Sequence, residues 1–82
     1  MPPPMVYYEI ADDLARRIHG GEFPPDRNGH RRLPSYPALA TEYEVSRSTI
    51  ARAIDKLKGD GYAVGRPGEA VYVADHLPPK KD

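Results

Sequence analysis

The sequence predicts a mainly helical fold, a winged helix-turn-helix with three helices and a two-stranded wing. Three observations lead to this prediction. Apolar residues recur at helical spacing near the start of the chain, two helical segments then meet at a tight corner, and the last segment changes to the pattern of a β-hairpin. Two helices joined by a tight corner and followed by a hairpin make a helix-turn-helix with a wing.

The first predicted helix covers about residues 5–19. Its apolar face comes from Ile10, Leu14 and Ile18, which lie four positions apart in sequence. Gly20-Gly21 ends the helix, because glycine adopts the backbone angles that close a helix at little steric cost.

A loop is predicted at residues 22–32, where prolines, asparagine and glycine leave no periodicity. It is longer than the roughly 2–8 residues that usually join helices in a compact domain. The excess residues form either a solvated insertion or an extra arm that contacts phosphate through Arg27, Arg31 and Arg32.

Two helices follow, and each is predicted to begin at a serine N-cap. Ser35 caps the first helix, which ends near Glu44, and Ser46 caps the second, which runs to about Lys58. The second has a clear apolar stripe, formed by Ile50, Ala53, Ile54 and Leu57.

The wing is predicted from two short β-prone runs, Tyr62-Ala63-Val64 and Ala70-Val71-Tyr72-Val73. Gly65-Arg66-Pro67-Gly68 between them has the composition of a turn. The chain therefore divides into a disordered proline-rich leader, one domain and a flexible tail, at residues 1–4, 5–75 and 76–82.

Charge is unevenly distributed along a chain whose net charge is zero. Residues 1–26 carry two basic and five acidic side chains, whereas residues 27–66 carry eight basic and four acidic ones. A basic segment between acidic ends indicates a local patch of the kind that binds nucleic acid, although ordinary variation in surface charge would also produce it.

Composition and missing motifs exclude several function classes. The chain has no cysteine, and its three histidines lack the spacing of metal ligands. No nucleotide-binding or hydrolase motif is present. No apolar run approaches the roughly 20 residues of a membrane span, and the first residues do not resemble a secretory signal. We therefore expect a soluble cytoplasmic protein that is not an enzyme and has no catalytic residue, cofactor or metal ion.

The helix that begins after Ser46 carries the residues expected to read DNA. Arg47, Ser48 and Thr49 stand at its start, the end that recognition helices insert into the major groove. Arg52 lies opposite the apolar stripe. Arginine can read guanine with its two-pronged fork, and hydroxyls can bind phosphate or base edges. The alternative is that the arginines are solvated and that Ser46 and Thr49 only cap the helix.

Further DNA contacts are predicted on either side of this helix. Ser35 either only caps its helix or also presents the helix start to a phosphate. Tyr36 either contacts the sugar-phosphate backbone or folds onto the core. Arg66 and Gly68 at the hairpin tip suit the minor groove, whose negative potential attracts arginine, but a plain turn has the same composition. Lys56 is another candidate for phosphate contact.

The chain resembles the N-terminal domain of GntR-family regulators over about residues 6–74. The motifs are individually weak but specific in this order. They are Tyr8, Ile10-Ala11 and Leu14; Ile18, Gly21-Glu22-Phe23 and Pro25; Leu33-Pro34-Ser35 and Leu39-Ala40; Val45-Ser46-Arg47-Ser48-Thr49-Ile50; Ala53-Ile54, Leu57 and Gly61-Tyr62; and Gly68 and Tyr72-Val73.

The resemblance implies sequence-specific binding of a double-stranded operator, with repression more expected than activation. Arg47 matches a DNA-contacting arginine of the family, and Ser48 and Thr49 match its hydroxyl contacts. Tyr36-Pro37 stands where the family often has a basic DNA contact. A second family arginine falls at Ala51, which puts Arg52 one place later, and the loop before Leu33 is longer than usual.

The resemblance also implies partners. Family members carry an effector-binding and dimerising domain after the wing, whereas here only residues 75–82 follow. The chain is expected to be either an excised DNA-binding domain or a small regulator without ligand control. A homodimer on a palindromic operator in the bacterial nucleoid is expected. The alternatives are a winged helix for protein–protein contact and a small accessory factor for recombination or plasmid transfer.

Overall fold

The computed structural model describes residues 5–66 and 70–79 of the chain. Helices α1, α2 and α3 and strands β1 and β2 follow one another in the predicted order, which confirms the winged helix-turn-helix. The predicted leader and the end of the predicted tail lie outside the described residues. The elements are α1 (Tyr7–His19), α2 (Tyr36–Tyr43), α3 (Arg47–Gly59), β1 (Ala63–Gly65) and β2 (Val71–Val73).

Helix α1 begins where a carboxylate meets free backbone donors. The backbone N–H of Val6 donates to Glu9 Oε1 at 3.1 Å, and the acidic residue suits the positive end of the helix dipole. Arg16 and Arg17 in the last turn suit the negative end. The helix therefore has favourable charges at both ends.

The core lies where the apolar faces of α1, α2 and α3 meet. The predicted stripes of α1 and α3 are confirmed, because every one of their residues is at most 1% exposed. Helix α2 adds Leu39, which is fully buried. Seven large side chains are fully buried in this cluster: Ile10, Leu14, Ile18, Leu39, Ile50, Ile54 and Leu57.

A polar bridge joins α1 to α2 at the edge of the core. Arg17 forms ion pairs with Glu22 and Glu42 and donates to the hydroxyl of Tyr43 at 2.9 Å. That hydroxyl donates to Asp13 Oδ2 at 2.6 Å. Burial, together with this bond to Asp13, raises the pKa of Tyr43 to about 12. The bridge sets the position of α2 beside α1 with satisfied polar groups.

The predicted loop at residues 22–32 is confirmed, since no helix or strand forms there, but it contains local backbone pairing that the sequence did not indicate. Pro25 and Arg31 form an antiparallel bridge that closes a small hairpin. Asp26 Oδ1 accepts hydrogen bonds from the backbone N–H groups of Asn28 and His30, at 2.9 and 3.0 Å. The His30 amide in particular lowers the pKa of Asp26. We call residues 25–31 the inserted hairpin.

The last residue of the inserted hairpin and the two residues after it pair with the wing. The backbone N–H of Leu33 donates to the carbonyl of Val71 at 3.0 Å, and that of Val73 donates to the carbonyl of Arg31 at 2.7 Å. On its other side β2 pairs antiparallel with β1. The wing therefore has a third, strand-like edge at residues 31–33, which we call the edge segment.

Candidate nucleic-acid interface

The hydroxyl of Ser46 caps the start of α3 and is also hydrogen-bonded to the hydroxyl of Thr49. Ser46 Oγ accepts the backbone N–H of Thr49 at 3.1 Å and lies 3.0 Å from Thr49 Oγ1. The capping role considered for this pair is therefore confirmed. A DNA contact by either hydroxyl stays a prediction, and it would have to compete with the cap.

Arg47 and Ser48 differ from the capping pair. Both are exposed on the first turn of α3. Neither forms a hydrogen bond, ion pair or ring contact with another of the described residues. The α3 start thus presents one uncommitted guanidinium and one uncommitted hydroxyl next to the positive end of a helix dipole.

Arg52 is exposed as expected, but its guanidinium is already stacked. Its Cζ lies 4.4 Å from the ring centroid of Tyr7 on α1. An exposed cation–π contact is worth about 0.5–1 kcal/mol, whereas a forked contact to guanine gives about 1–3 kcal/mol of discrimination. The stack is therefore weak enough to exchange for a base contact, and base reading by Arg52 stays a prediction.

Lys56, predicted as a phosphate contact, has a carboxylate partner. Its Nζ lies 2.7 Å from Asp60 Oδ2, one helical turn further along α3. The hydrogen bond from Lys56 to Asp60 raises the pKa of Lys56. Such an exposed pair contributes little to stability, so a phosphate could displace the carboxylate, and the contact by Lys56 stays a prediction.

The start of α2 offers fewer donors than its serine cap suggests. Ser35 Oγ accepts the N–H of Ala38 at 3.3 Å, which confirms its capping role. Pro37 at the second helical position has no N–H. Only the N–H of Tyr36 remains free for a phosphate among these positions. The Tyr36 side chain is half-buried and packs against the core, so a sugar-phosphate contact would involve only its outer edge.

The wing and the inserted hairpin meet at one aromatic ring. Arg66 is exposed, and its Cζ lies 5.0 Å from the ring centroid of Tyr72. The imidazole of His30 meets the same ring edge-on, with centroids 5.5 Å apart. Tyr72 therefore contacts both Arg66, the predicted minor-groove residue, and His30 of the inserted hairpin. Gly68, the other predicted tip residue, lies outside the described residues.

The three arginines of the predicted phosphate-contacting arm have different surroundings. Arg31 donates from Nε to the carbonyl of Phe23 and from Nη2 to the carbonyl of Ile18, both at 2.8 Å. These bonds tie the inserted hairpin to the end of α1, which argues against the phosphate contact predicted for Arg31. Arg27 and Arg32 are exposed and form no ion pair with the described carboxylates.

Replacing Arg31 with Ala is expected to lower the free energy of unfolding by about 1–2 kcal/mol. Charged hydrogen bonds contribute about 1.5–3 kcal/mol each, but these carbonyls are only partly buried and can regain water. Denaturant unfolding would measure the change, with Arg27→Ala as the matched control from the same hairpin. Equal stability of the two variants would show that Arg31 does not hold the hairpin in place.

Lys58 lies at the end of α3, as predicted, and its side chain also reaches the wing. Its side chain crosses the wing strand β1, so that a Cβ built on Gly65 would lie 2.8 Å from Lys58 Nζ. It lines an open cleft of about 780 Å³ between the α2 start, the edge segment and the wing, together with Arg32 and Arg66. No local sequence pattern indicates this meeting, because the three cations come from separate elements.

The described cations differ in whether a carboxylate is paired with them. The two arginines of α1 have carboxylate partners, as in the Arg16–Asp13 pair at 2.6 Å. Arg32, Arg47 and Lys58 have none among the carboxylates that the structure describes. The positive charge predicted from the basic middle segment is thus available at the α3 start and in the cleft.

Residues 5–66 and 70–79 contain neither a metal-binding cluster nor a membrane-spanning helix. No group of three histidine, aspartate or glutamate side chains there is arranged to hold a metal ion. None of the helices there combines the length and the apolar composition that crossing a bilayer requires.

The sequence matches one protein-family model and several curated proteins. The family is described as "Bacterial regulatory proteins, gntR family", and its model matches residues 6–73. A histidine utilization repressor of Pseudomonas putida is 34% identical over 73 residues, which are 89% of this chain and 28% of that protein. The HTH-type transcriptional repressor NagR of Bacillus subtilis is 31% identical over 72 residues, 88% of this chain and 28% of the relative. The chain thus spans less than a third of the length of these relatives.

Solved structures of similar fold include complexes with DNA. The AraR DNA-binding domain in complex with operator ORX1 has a TM-score of 0.72 and 28% identity, over 90% of this chain and 82% of that one. A GntR family transcriptional regulator from Listeria monocytogenes has a TM-score of 0.74 and 26% identity, over 85% of this chain and 58% of that one. The helices and wing described above are therefore the fold of these DNA-binding domains.

Proposed function

This chain belongs to the gntR family of bacterial regulatory proteins, and we propose that it binds double-stranded DNA in a sequence-specific manner as a transcriptional repressor. The observation that supports this most directly is the start of α3. Arg47 and Ser48 are exposed there and free of partners among the described residues. This end of a recognition helix is the one that enters the major groove.

In the proposed complex the elements have separate tasks. Arg47 reads a guanine through its fork, and Ser48 binds a neighbouring base edge or phosphate. Arg52 exchanges its stack on Tyr7 for a neighbouring base, and Arg66 follows the minor groove. The α1 surface, where the cations are paired with carboxylates, faces away from the duplex.

Repression is proposed from the relatives, two of which are named as repressors. A homodimer on a palindromic operator is proposed because two-fold symmetric proteins read two-fold symmetric sites. An effector-binding domain in the whole protein is proposed because the matched relatives are more than three times as long as the aligned segment. Binding to bacterial DNA would place the protein in the cytoplasm at the nucleoid. No enzymatic activity is proposed for it, because the matched relatives are named as repressors.

Titration of the protein with mixed-sequence duplex DNA at several salt concentrations tests this proposal. Binding that weakens steeply with salt is expected, because neutralised phosphates release counterions. Selection of bound duplexes from a random pool should then yield a preferred, palindromic site. Undetectable binding even at low salt would reject DNA binding and favour a protein-interaction role for the winged helix.

A further inference from the structure

The cleft between the α2 start and the wing concentrates positive charge from three separate elements. Arg32 comes from the edge segment, Lys58 from the last turn of α3, and Arg66 directly follows β1. The cleft is open and has a volume of about 780 Å³, so a group of phosphate size can enter it. Three cations converge there although the chain as a whole has no net charge.

Among the described residues, carboxylates neutralise these cations little, since Asp26 acts on Arg32 only through space and forms no ion pair with it. Within residues 5–66 and 70–79, no carboxylate forms an ion pair with Arg32, Lys58 or Arg66, and no carboxylate lines the cleft. Arg66 contacts the ring of Tyr72, which leaves its charge in place. Like charges held near one another are unfavourable unless an anion joins them.

We propose that this cleft binds a phosphodiester of the DNA backbone and that Lys58 is one of its ligands. The inference rests on the proposed DNA-binding function and adds to it a contact that carries no sequence information. The first turn of α2 contributes little to this site. Pro37 has no backbone N–H, and the N–H of Ala38 already donates to the hydroxyl of Ser35. The side-chain cations therefore provide the attraction.

The proposed phosphate is not the one beside the reading end of α3. Arg47 and Lys58 are eleven positions apart on one helix, which separates their Cα atoms by roughly 16 Å at 1.5 Å per residue. The cleft lies on the side of the wing and the edge segment. It therefore anchors the duplex at a second point and strengthens binding to any sequence.

Two variants test the cleft in different ways. Lys58→Gln removes one charge. Gly65→Val keeps the net charge but fills the space over β1, since even a Cβ at Gly65 would lie 2.8 Å from Lys58 Nζ and 2.9 Å from its Cε. Valine suits an exposed strand position, so the fold should survive, and circular dichroism with thermal unfolding would verify it. Arg16→Gln, on the carboxylate-rich surface of α1, is the matched control for loss of one charge.

Binding of mixed-sequence duplex DNA across a salt series is the measurement. Lys58→Gln is expected to flatten the log–log salt slope by up to about 0.9, equivalent to a roughly eightfold loss of affinity at about 0.1 M salt. Gly65→Val is expected to weaken binding in the same direction despite its unchanged charge. Both variants should leave the ratio of affinities for selected and scrambled duplexes unchanged, and Arg16→Gln should resemble the parent protein.

The failures of the two proposals can be distinguished. If the parent protein does not bind duplex DNA, the proposed function itself is rejected. If the parent binds but Lys58→Gln and folded Gly65→Val both match Arg16→Gln, the cleft holds no phosphate and only this inference is overturned. A change in the ratio for Lys58→Gln would also overturn it, because the lysine would then read sequence.

Discussion

Replacing Arg47 with Ala is expected to weaken binding to the selected DNA site by about 1–3 kcal/mol, roughly 5- to 150-fold, with little loss on scrambled DNA. The reason is that its guanidinium is exposed and uncommitted among the described residues, at the end of α3 that we propose enters the major groove. Removing a forked guanine contact costs affinity only where that guanine is present. Equilibrium binding to the two duplexes at the same salt concentration would measure the difference.

Arg47→Lys is the matched variant for this measurement. It keeps the positive charge but loses the planar fork, so it should lose most of the discrimination and little of the affinity for scrambled DNA. An equal loss on both duplexes for Arg47→Ala would make Arg47 a phosphate contact. Base reading would then have to come from Ser48, Arg52 or the wing.

Replacing Ile54 with Ala is expected to lower the free energy of unfolding by about 2–5 kcal/mol. Ile54 is fully buried where α3 packs on α1, so its truncation leaves a cavity in a small core. A chain of this length is stabilised by only about 4–12 kcal/mol, at roughly 0.05–0.15 kcal/mol per residue. The variant is therefore expected to unfold at much lower denaturant concentration, as followed by circular dichroism.

The neighbouring residue gives the control for this core substitution. Asp55 follows Ile54 on the same helix but is exposed. Asp55→Ala should change stability by no more than about 0.5 kcal/mol, because it removes no buried contact. If Ile54→Ala were no less stable than Asp55→Ala, the apolar stripe of α3 would not be the core that the structure shows.

Much of the fold could be predicted because the relevant signals are local. The apolar stripe of α3 depends only on the 3.6-residue period, and its residues are all buried as expected. The caps at Ser35 and Ser46 depend on hydroxyls three positions before the N–H groups that they accept. Each of these interactions joins residues within one or two helical turns, so their spacing is visible in the chain.

The candidate site could be predicted only in part. The exposure of Ser48 follows from its place opposite the apolar stripe, and that of Arg47 from its place at the first position of α3. Arg31 and Arg32 are both arginine and are adjacent in sequence. Arg31 nevertheless donates to the carbonyls of Phe23 and Ile18, whereas Arg32 lines the cleft. Nothing in the local pattern distinguishes them, because their partners lie on other elements.

By itself, then, the sequence determined the three helices, the wing and the capped, exposed start of α3, since periodicity and capping act between near neighbours. Only the tertiary structure decided that the edge segment pairs with β2, that Arg31 holds the inserted hairpin and that Lys58 crosses Gly65. These contacts join residues that lie far apart in sequence or on separate elements. They form because packing α1 and α3 around one core brings the inserted hairpin, the wing and the last turn of α3 to the same side of the molecule.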